Sequence, residues 1–181
     1  NGTDMRREMR MWPSNKSIPP YDFAAALMFS PQQHLDRCVA VARERVTTID
    51  VGDNLPAIPP CGASEEELTE LARRLHVPVP EEYRLLLSNW RYLYFGPGLA
   101  IWGLSYHGVT VGWPWVQAMP DRPGEYLIIG DYWRYSDGDQ LMLDLTDPEA
   151  AAFIYLHESG SSVEYFAPSL SLAVWRMIHE D

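Results

Sequence analysis

The chain has 181 residues, of which 46% are hydrophobic and 22% are charged, ordinary values for one globular domain with a small extension. Its net charge of −11 is uneven: residues 1–46 carry seven Arg or Lys against five Asp or Glu, whereas residues 47–181 carry seven against twenty. So acidic a region repels nucleic-acid phosphates and attracts a basic protein. We therefore expect no nucleic-acid partner. No apolar run reaches the roughly 20 residues of a membrane-spanning helix, so we also expect no membrane partner.

Cysteine usage and the N-terminal segment both bear on the cellular compartment. Cys38 falls on the apolar stripe of a predicted helix and Cys61 in a Pro-rich segment, which favours two free thiols over one disulfide. The short apolar run at residues 24–29 follows several prolines and Asp22, where an export signal needs an unbroken apolar region. We therefore predict a cytoplasmic protein.

Residues 1–62 are predicted to form an N-terminal extension with one helix and a Pro-rich linker. The helix is expected over residues 31–46, with Ser30 as N-cap and Gln33 as its capping-box partner. The linker, residues 52–62, contains three prolines. Apolar residues recur at three- and four-residue spacing along the helix, which should therefore pack on the next domain: Leu35, Cys38, Val39, Ala42 and Val46.

The main domain, residues 63–181, opens with strong helix signals. Ser64 and Glu67 form a capping box for a helix expected over residues 64–76. Its buried stripe is predicted to consist of Leu68, Leu71, Ala72 and Leu75. A second helix is expected to begin at Pro80, because proline is favoured at a first helical position.

Consecutive strands are predicted between the second helix and a last helix with Ser169 as its N-cap. Six segments are rich in β-branched and aromatic residues and are separated by turn signals: residues 99–104, 108–112, 126–130, 140–145, 153–157 and 163–166. Helices at both ends of such a run predict an α+β fold with an antiparallel sheet flanked by helices.

Four segments, in order, resemble a known family. They are VPVPEEY at residues 77–83, IIGD at 128–131 with GD at 138–139 and LDL at 143–145, FIYLHE at 153–158, and APSL at 167–170. From about residue 64 onward the chain resembles the SUKH superfamily of Smi/Knr-type proteins. It departs from the pattern at residues 88–91, SNWR, where many members have an Asn-Gly pair, so the local turn must differ.

The resemblance implies a non-catalytic scaffold that bacteria use widely as an immunity protein against secreted or contact-delivered toxins. Some members serve as regulatory or interaction modules. On this basis the chain is expected not to be an enzyme.

The carboxylates clustered at residues 131–139 raise the question of Ca²⁺ binding. An EF-hand loop needs alternating oxygen ligands and a Glu at its twelfth position, where this chain has Met142. No two histidines are three or four residues apart, and no nucleophile, base and orienting acid form a recognisable set. We predict no metal, no cofactor and no catalytic residue.

The same segment is the predicted partner-binding site. Asp137-Gly138 is a turn signal between two strands, and four bulky residues in succession before it cannot all point inward. The residues expected to bind a basic partner are Asp131, Tyr132, Trp133, Arg134, Tyr135, Asp137, Asp139 and Asp144, with Asp147 extending the acidic surface. Asp137 and Asp139 are expected to be exposed because they lie in the turn.

The leading hypothesis is an immunity protein that neutralises a cognate toxin by occlusion. The toxin is expected to present a basic surface to the acidic domain. The alternative is a regulatory adaptor or small-ligand sensor of the same fold, which would use the aromatic residues at 90–95 and 113–115. Most of those aromatic residues are expected to pack in the core of a domain of this size.

Overall fold

The structure, a computed structural model, describes residues 28–45, 48–49, 55–120, 122–157 and 162–180. Four helices lie in this part of the chain: α1 Pro31–Arg45, α2 Glu65–Leu75, α3 Glu81–Trp90 and α4 Leu170–Glu180. The strands are β1 Thr48–Ile49, β2 Leu55–Pro56, β3 Leu93–Gly96, β4 Leu99–Ile101, β5 Trp115–Ala118, β6 Glu125–Tyr132, β7 Gln140–Asp144, β8 Ala152–Leu156 and β9 Ser162–Ala167. The predicted α+β class is confirmed.

A seven-stranded antiparallel sheet is the centre of the fold. Its strands follow the order β3-β4-β6-β7-β8-β9, and β5 also pairs with β6. Strand β6 is long enough to pair with both β4 and β5 along one edge, because its last three residues pair with β4 and its first four with β5. The short strands β1 and β2 form a separate antiparallel pair.

Local capping signals determine where the helices begin. The Ser64 hydroxyl accepts a hydrogen bond from Glu67 N, and the Glu67 carboxylate accepts one from Ser64 N, so the predicted capping box is confirmed. Ser30 and Gln33 make the same reciprocal pair before α1. None of the described helices combines the length and the apolar character needed to cross a bilayer.

Helix α1 packs against α4 and shares the core of the main sheet, as its apolar stripe predicted. Leu35, Cys38, Val39 and Ala42 are all buried in the same cluster as the inner face of α4. Val46, the last residue of the predicted stripe, lies outside the described residues. The boundary expected near residue 62 stays a prediction.

Two strand predictions were wrong, and two strands were missed. Residues 108–112 form no strand: His107 and Gly108 have φ values of 49° and 78°, and they make a tight turn that leaves one bridge between Tyr106 and Val109. The strand expected over 99–104 ends at Ile101. Strands β3 and β5 were missed because their aromatic residues were interpreted only as core or platform residues.

Candidate functional site

The two faces of the main sheet are covered differently. All four helices contribute to the apolar cluster on one face, the helix face. The opposite face, here called the open face, carries a second cluster, to which no residue of a described helix belongs. Trp102, Val111 and Met119 cover part of the open face, and the Arg122 guanidinium lies 4.7 Å from the Phe153 ring centroid. Ala100, Ile128 and Met142 at the centre of the open face are buried, and the half-buried residues lie towards β8 and β9: Tyr155, Val163 and Tyr165.

Strand register determines which side chains share the open face, because directly paired residues point to the same side of a sheet. Asp131 of β6 lies between Ala100 of β4 and Gln140 of β7, and Gln140 pairs in turn with Tyr155 of β8. Asp131, Gln140 and Tyr155 are half-buried. They form a polar and aromatic row across the open face.

Three tryptophans and Asp131 form a continuous array on this face, here called the tryptophan strip: Trp115, Trp102, Asp131 and Trp133. The rings of Trp115 and Trp102 stack with centroids 5.2 Å apart. Trp102 Nε1 donates to Asp131 Oδ2 over 3.1 Å, and the Trp133 side chain is close enough to the same carboxylate to lower its pKa. Trp102 is buried, but Trp115 and Trp133 are 38% and 43% exposed, so indole surface beside the carboxylate faces solvent.

The Asp131 carboxylate is partly withdrawn from water. Loss of solvation raises its pKa, and the hydrogen bonds from Trp102 and Trp133 oppose that rise. Both donors are uncharged. None of the ion pairs between residues that the structure describes includes Asp131. The strip therefore contains a desolvated acidic group that no described arginine neutralises.

Asp139 is fully buried, so the expectation that it is exposed was wrong. Its carboxylate accepts hydrogen bonds from the backbone nitrogens of Tyr135, Ser136 and His157, at 3.0, 3.2 and 2.9 Å. Gly138 has a φ of 99° and lies against the His157 ring. Asp139 thus holds the loop between β6 and β7 in shape, and it offers no surface to a partner.

The other residues of the β6–β7 loop divide between the core and solvent. Tyr132 is buried on the helix face, with its ring 5.2 Å from that of Phe166, so it cannot be a contact residue in this conformation. Arg134 is half-buried and forms an ion pair with Glu164. Tyr135 is 61% exposed and its hydroxyl donates to Glu164. Asp137 is exposed, as the turn predicted.

Asp144 and Asp147 lie at the opposite end of β7 from the β6–β7 loop. Gln140 and Asp144 are four residues apart on one strand, about 13 Å in an extended chain. Asp144 accepts hydrogen bonds from the backbone nitrogen and hydroxyl of Thr146, and Asp147 accepts from the nitrogens of Glu149 and Ala151. These two carboxylates organise a turn, and the five predicted carboxylates do not form one surface.

The segments that resemble the family meet inside the fold. The Glu82 carboxylate accepts a hydrogen bond from Ser171 N at the start of α4, and the Tyr83 hydroxyl donates to the carbonyl oxygen of Trp102 over 2.6 Å. Gly130 lies so close to β4 that a Cβ there would clash with the Ala100 carbonyl. Glu158, at the end of the third segment, lies outside the described residues. These motif residues hold the scaffold together.

Trp102 is the residue of the strip that sequence reasoning missed. Ala100 and Trp102 are two residues apart in a predicted strand. Residues at that spacing point to the same face of a sheet, so their common face could have been inferred from the sequence. Trp115 was considered only as part of an aromatic platform. Its stacking on Trp102 depends on the pairing of β5 with β6, which sequence patterns do not specify.

The described part of the chain has several surface cavities, with volumes between about 220 and 460 Å³. No three His, Cys, Asp or Glu side chains there are grouped so that they could hold a metal ion. A cavity of about 220 Å³ beside the open face is lined by apolar and aromatic side chains, including Tyr92 and Tyr94. Burial raises the pKa of the Tyr92 hydroxyl to about 12, so it stays protonated and donates to the carbonyl oxygen of Pro56.

Comparisons with known proteins identify the scaffold. A sequence model of the SMI1/KNR4 family (SUKH-1) matches residues 62–172, more than half of the chain. The match extends from the residues before α2 into α4 and contains the whole seven-stranded sheet. No curated protein and no solved structure matches the chain. The chain therefore belongs to the SMI1/KNR4 family (SUKH-1), whose members are generally associated with immunity in polymorphic toxin systems and are typically not enzymes.

Proposed function

We propose that this protein is an immunity protein that binds a cognate bacterial toxin and neutralises it by occlusion. The observation that carries the proposal is the tryptophan strip, in which exposed indole rings flank a half-buried carboxylate on the open face. Tryptophan, tyrosine and arginine dominate the energetics of protein interfaces. A surface of this kind serves to bind a protein rather than to carry out a reaction.

The charge of the protein supports a partner with a basic surface. Residues 47–181, which contain the whole sheet, carry seven basic and twenty acidic side chains. Such a field attracts a basic protein and speeds the encounter, while the exposed aromatics supply buried anchors once contact is made. Both cysteines are free thiols, which supports an encounter in the reducing cytoplasm.

The proposed contact surface differs from the predicted set of residues. Asp131, Trp133, Arg134, Tyr135 and Asp137 stay in it, because each is at least partly accessible. Trp102 and Trp115 join them through their contacts with Asp131 and with each other. Tyr132 and Asp139 support the surface from within, and Asp144 lies too far along β7 to act with it.

Co-expression with the toxin encoded beside this gene tests the proposal. We expect the protein to restore growth of cells that make the toxin, and the double substitution Trp133→Ala, Tyr135→Ala to abolish that protection. Trp113→Ala is the matched control, because Trp113 is 48% exposed but packs against Arg74 of α2 and not against Asp131. Failure of the wild-type protein to bind the toxin or to restore growth would show that the proposed function is wrong.

The alternative, a small-ligand sensor, rests on the cavity beside Tyr92 and Tyr94. At about 220 Å³ it is smaller than the roughly 300–1,000 Å³ of a typical ligand site. Both tyrosines also make hydrogen bonds within the fold. The Tyr92 hydroxyl donates to the carbonyl oxygen of Pro56, and Tyr94 N donates to that of Ala57. The exposed strip therefore supports a protein partner more strongly than the cavity supports a small ligand.

A further inference from the structure

We propose that Asp131, with the indoles of Trp102 and Trp133, is a receptor for one arginine side chain of the partner protein. The inference deepens the proposed function and rests on it for the identity of the protein that supplies the arginine. It assigns to Asp131 the main role in choosing the partner, and to the two tryptophans the role of positioning the carboxylate and contacting the incoming guanidinium.

The geometry leaves acceptor capacity on the carboxylate. Asp131 accepts a hydrogen bond from Trp102 Nε1, and the Trp133 side chain is close enough to act as a second donor. An ionised carboxylate has about four lone-pair sites, so two donors do not saturate it. Gln140 is paired with Asp131 across the strands and is half-buried beside it, which places a further polar side chain on the same row.

The described arginines nearest in sequence have other contacts. Arg134 forms its ion pair with Glu164 on the helix face of the sheet, and the Arg122 guanidinium lies over the Phe153 ring on the open face. No described arginine lies within ion-pair distance of Asp131. Among the described residues, the carboxylate therefore has no cationic partner, and an arginine of the partner protein would complement its charge.

Electrostatics make this position favourable for a cation. Desolvation is the main reason that the pKa of Asp131 is raised, and neutral indole donors offset it only in part. A guanidinium that docks here replaces lost solvation with charge-assisted hydrogen bonds, which are stronger inside a partly dry site. The free protein thus holds a carboxylate ready for a cationic partner.

Arginine suits the site better than lysine. Its planar guanidinium can donate two parallel hydrogen bonds to a carboxylate and can also stack on an aromatic ring. Trp133, 43% exposed and close to Asp131, supplies an indole face at the carboxylate. A lysine ammonium is more strongly hydrated and makes only point contacts, so it gains less from the same surroundings.

Titration with acetyl-arginine-amide, followed through the indole N–H signals of the isotopically labelled protein, tests the inference without the toxin. We expect saturable shifts of the Trp102 and Trp133 signals at millimolar concentration. Acetyl-citrulline-amide, the uncharged isostere, should leave both signals unchanged, and acetyl-lysine-amide should bind more weakly. Because these comparisons use only the wild-type protein, the result does not depend on any variant folding.

Substitutions then identify the receptor group. Asp131→Asn should weaken binding of acetyl-arginine-amide by at least about tenfold, as the loss of a charge-assisted hydrogen bond does. Glu66→Gln, an exposed acidic residue of α2 outside the contact surface, should bind it like the wild type. Equal shifts with arginine and citrulline, or unchanged binding by Asp131→Asn, would overturn the inference. If arginine binds but the protein does not protect against the toxin, the proposed function fails and the arginine site stands.

Discussion

The two faces of the sheet contrast in chemistry and in use. The helix face is mainly aliphatic and is closed by all four helices, and residues such as Leu127, Leu141 and Ile154 have no exposed surface. The open face is aromatic and polar, and Trp115, Asp131 and Trp133 remain partly accessible. The family-like segments tie the helices to the sheet, whereas the strip residues Trp115 and Trp133 lie outside those segments. The residues that identify the family and those proposed to bind a partner are therefore mostly different residues.

The largest effect on stability is expected on the helix face. Leu141→Ala removes a fully buried side chain and leaves a cavity, so it should lower the free energy of unfolding by about 3 kcal/mol. Trp133→Ala, on the open side, should lower it by about 1 kcal/mol or less, because that side chain is partly exposed. Urea titration of both variants measures the difference. Equal losses would contradict the division of roles between the two faces.

The second largest effect is expected for the buried carboxylate of the β6–β7 loop. Asp139→Ala leaves the buried backbone donors of Tyr135, Ser136 and His157 without their acceptor, at a cost of about 2–3 kcal/mol. Asp137→Asn, two residues away and exposed, should stay within about 0.5 kcal/mol of the wild type. The pair is compared by thermal and denaturant unfolding. A stable Asp139→Ala variant would show that the loop does not depend on this carboxylate.

The third effect concerns binding kinetics. Trp133→Ala should raise the dissociation rate of the toxin complex by about 30-fold, which corresponds to about 2 kcal/mol for a buried anchor. Asp137→Asn should instead lower the association rate, and less so at 1 M salt, where the Debye length is about 3 Å. Surface plasmon resonance at two salt concentrations separates the two rates. If neither rate changes in either variant, the contact surface lies elsewhere.

The smallest effect concerns the junction between α2 and the residues after α3. The Arg91 guanidinium holds the pKa of Glu67 below its ordinary value, helped by the hydrogen bond from Ser64 N. A carboxyl whose folded pKa is lowered contributes stability above its unfolded pKa of about 4.3 and loses it as the pH falls through the folded value. Because Glu67 is partly exposed, the contribution should stay below about 1 kcal/mol.

Glu67→Gln should therefore flatten the fall in unfolding free energy between neutral and acidic pH. Glu66→Gln, on the exposed side of the same helical turn, is the control and should keep the wild-type pH profile. Denaturation curves at several pH values between 7 and 3 give the comparison. A Glu67→Gln profile that matches the wild type would mean that the ion pair does not stabilise this junction.

Local signals made much of the fold predictable. The capping boxes at Ser30 and Ser64 depend only on residues three positions apart, so both helix starts follow from the sequence. The short apolar runs that form β7 and β8 likewise depend only on neighbouring residues. The tight turn at His107 and Gly108 was harder to predict. The β-branched residues that suit a strand also flank this turn, in which both residues have positive φ values.

The site was less predictable because its geometry depends on contacts between distant residues. Asp139 is buried because its carboxylate reaches His157 N, 18 residues along the chain, and no local pattern indicates that bond. Asp131 gains its role from Trp102, 29 residues earlier, through the pairing of β4 with β6. The sequence predicted a binding segment as a whole, but only the strand register and burial distinguish the residues that hold the loop from those that stay exposed.

The central claim, that the open face binds the toxin, is tested most directly by amide hydrogen exchange with and without the toxin encoded beside this gene. Binding should slow exchange in β4 and the residues before it, in β5, and at residues 131–137, while the exposed sides of α2 and α4 keep the exchange rates of the free protein. Protection confined to the helices, with no change at residues 131–137, would contradict the account.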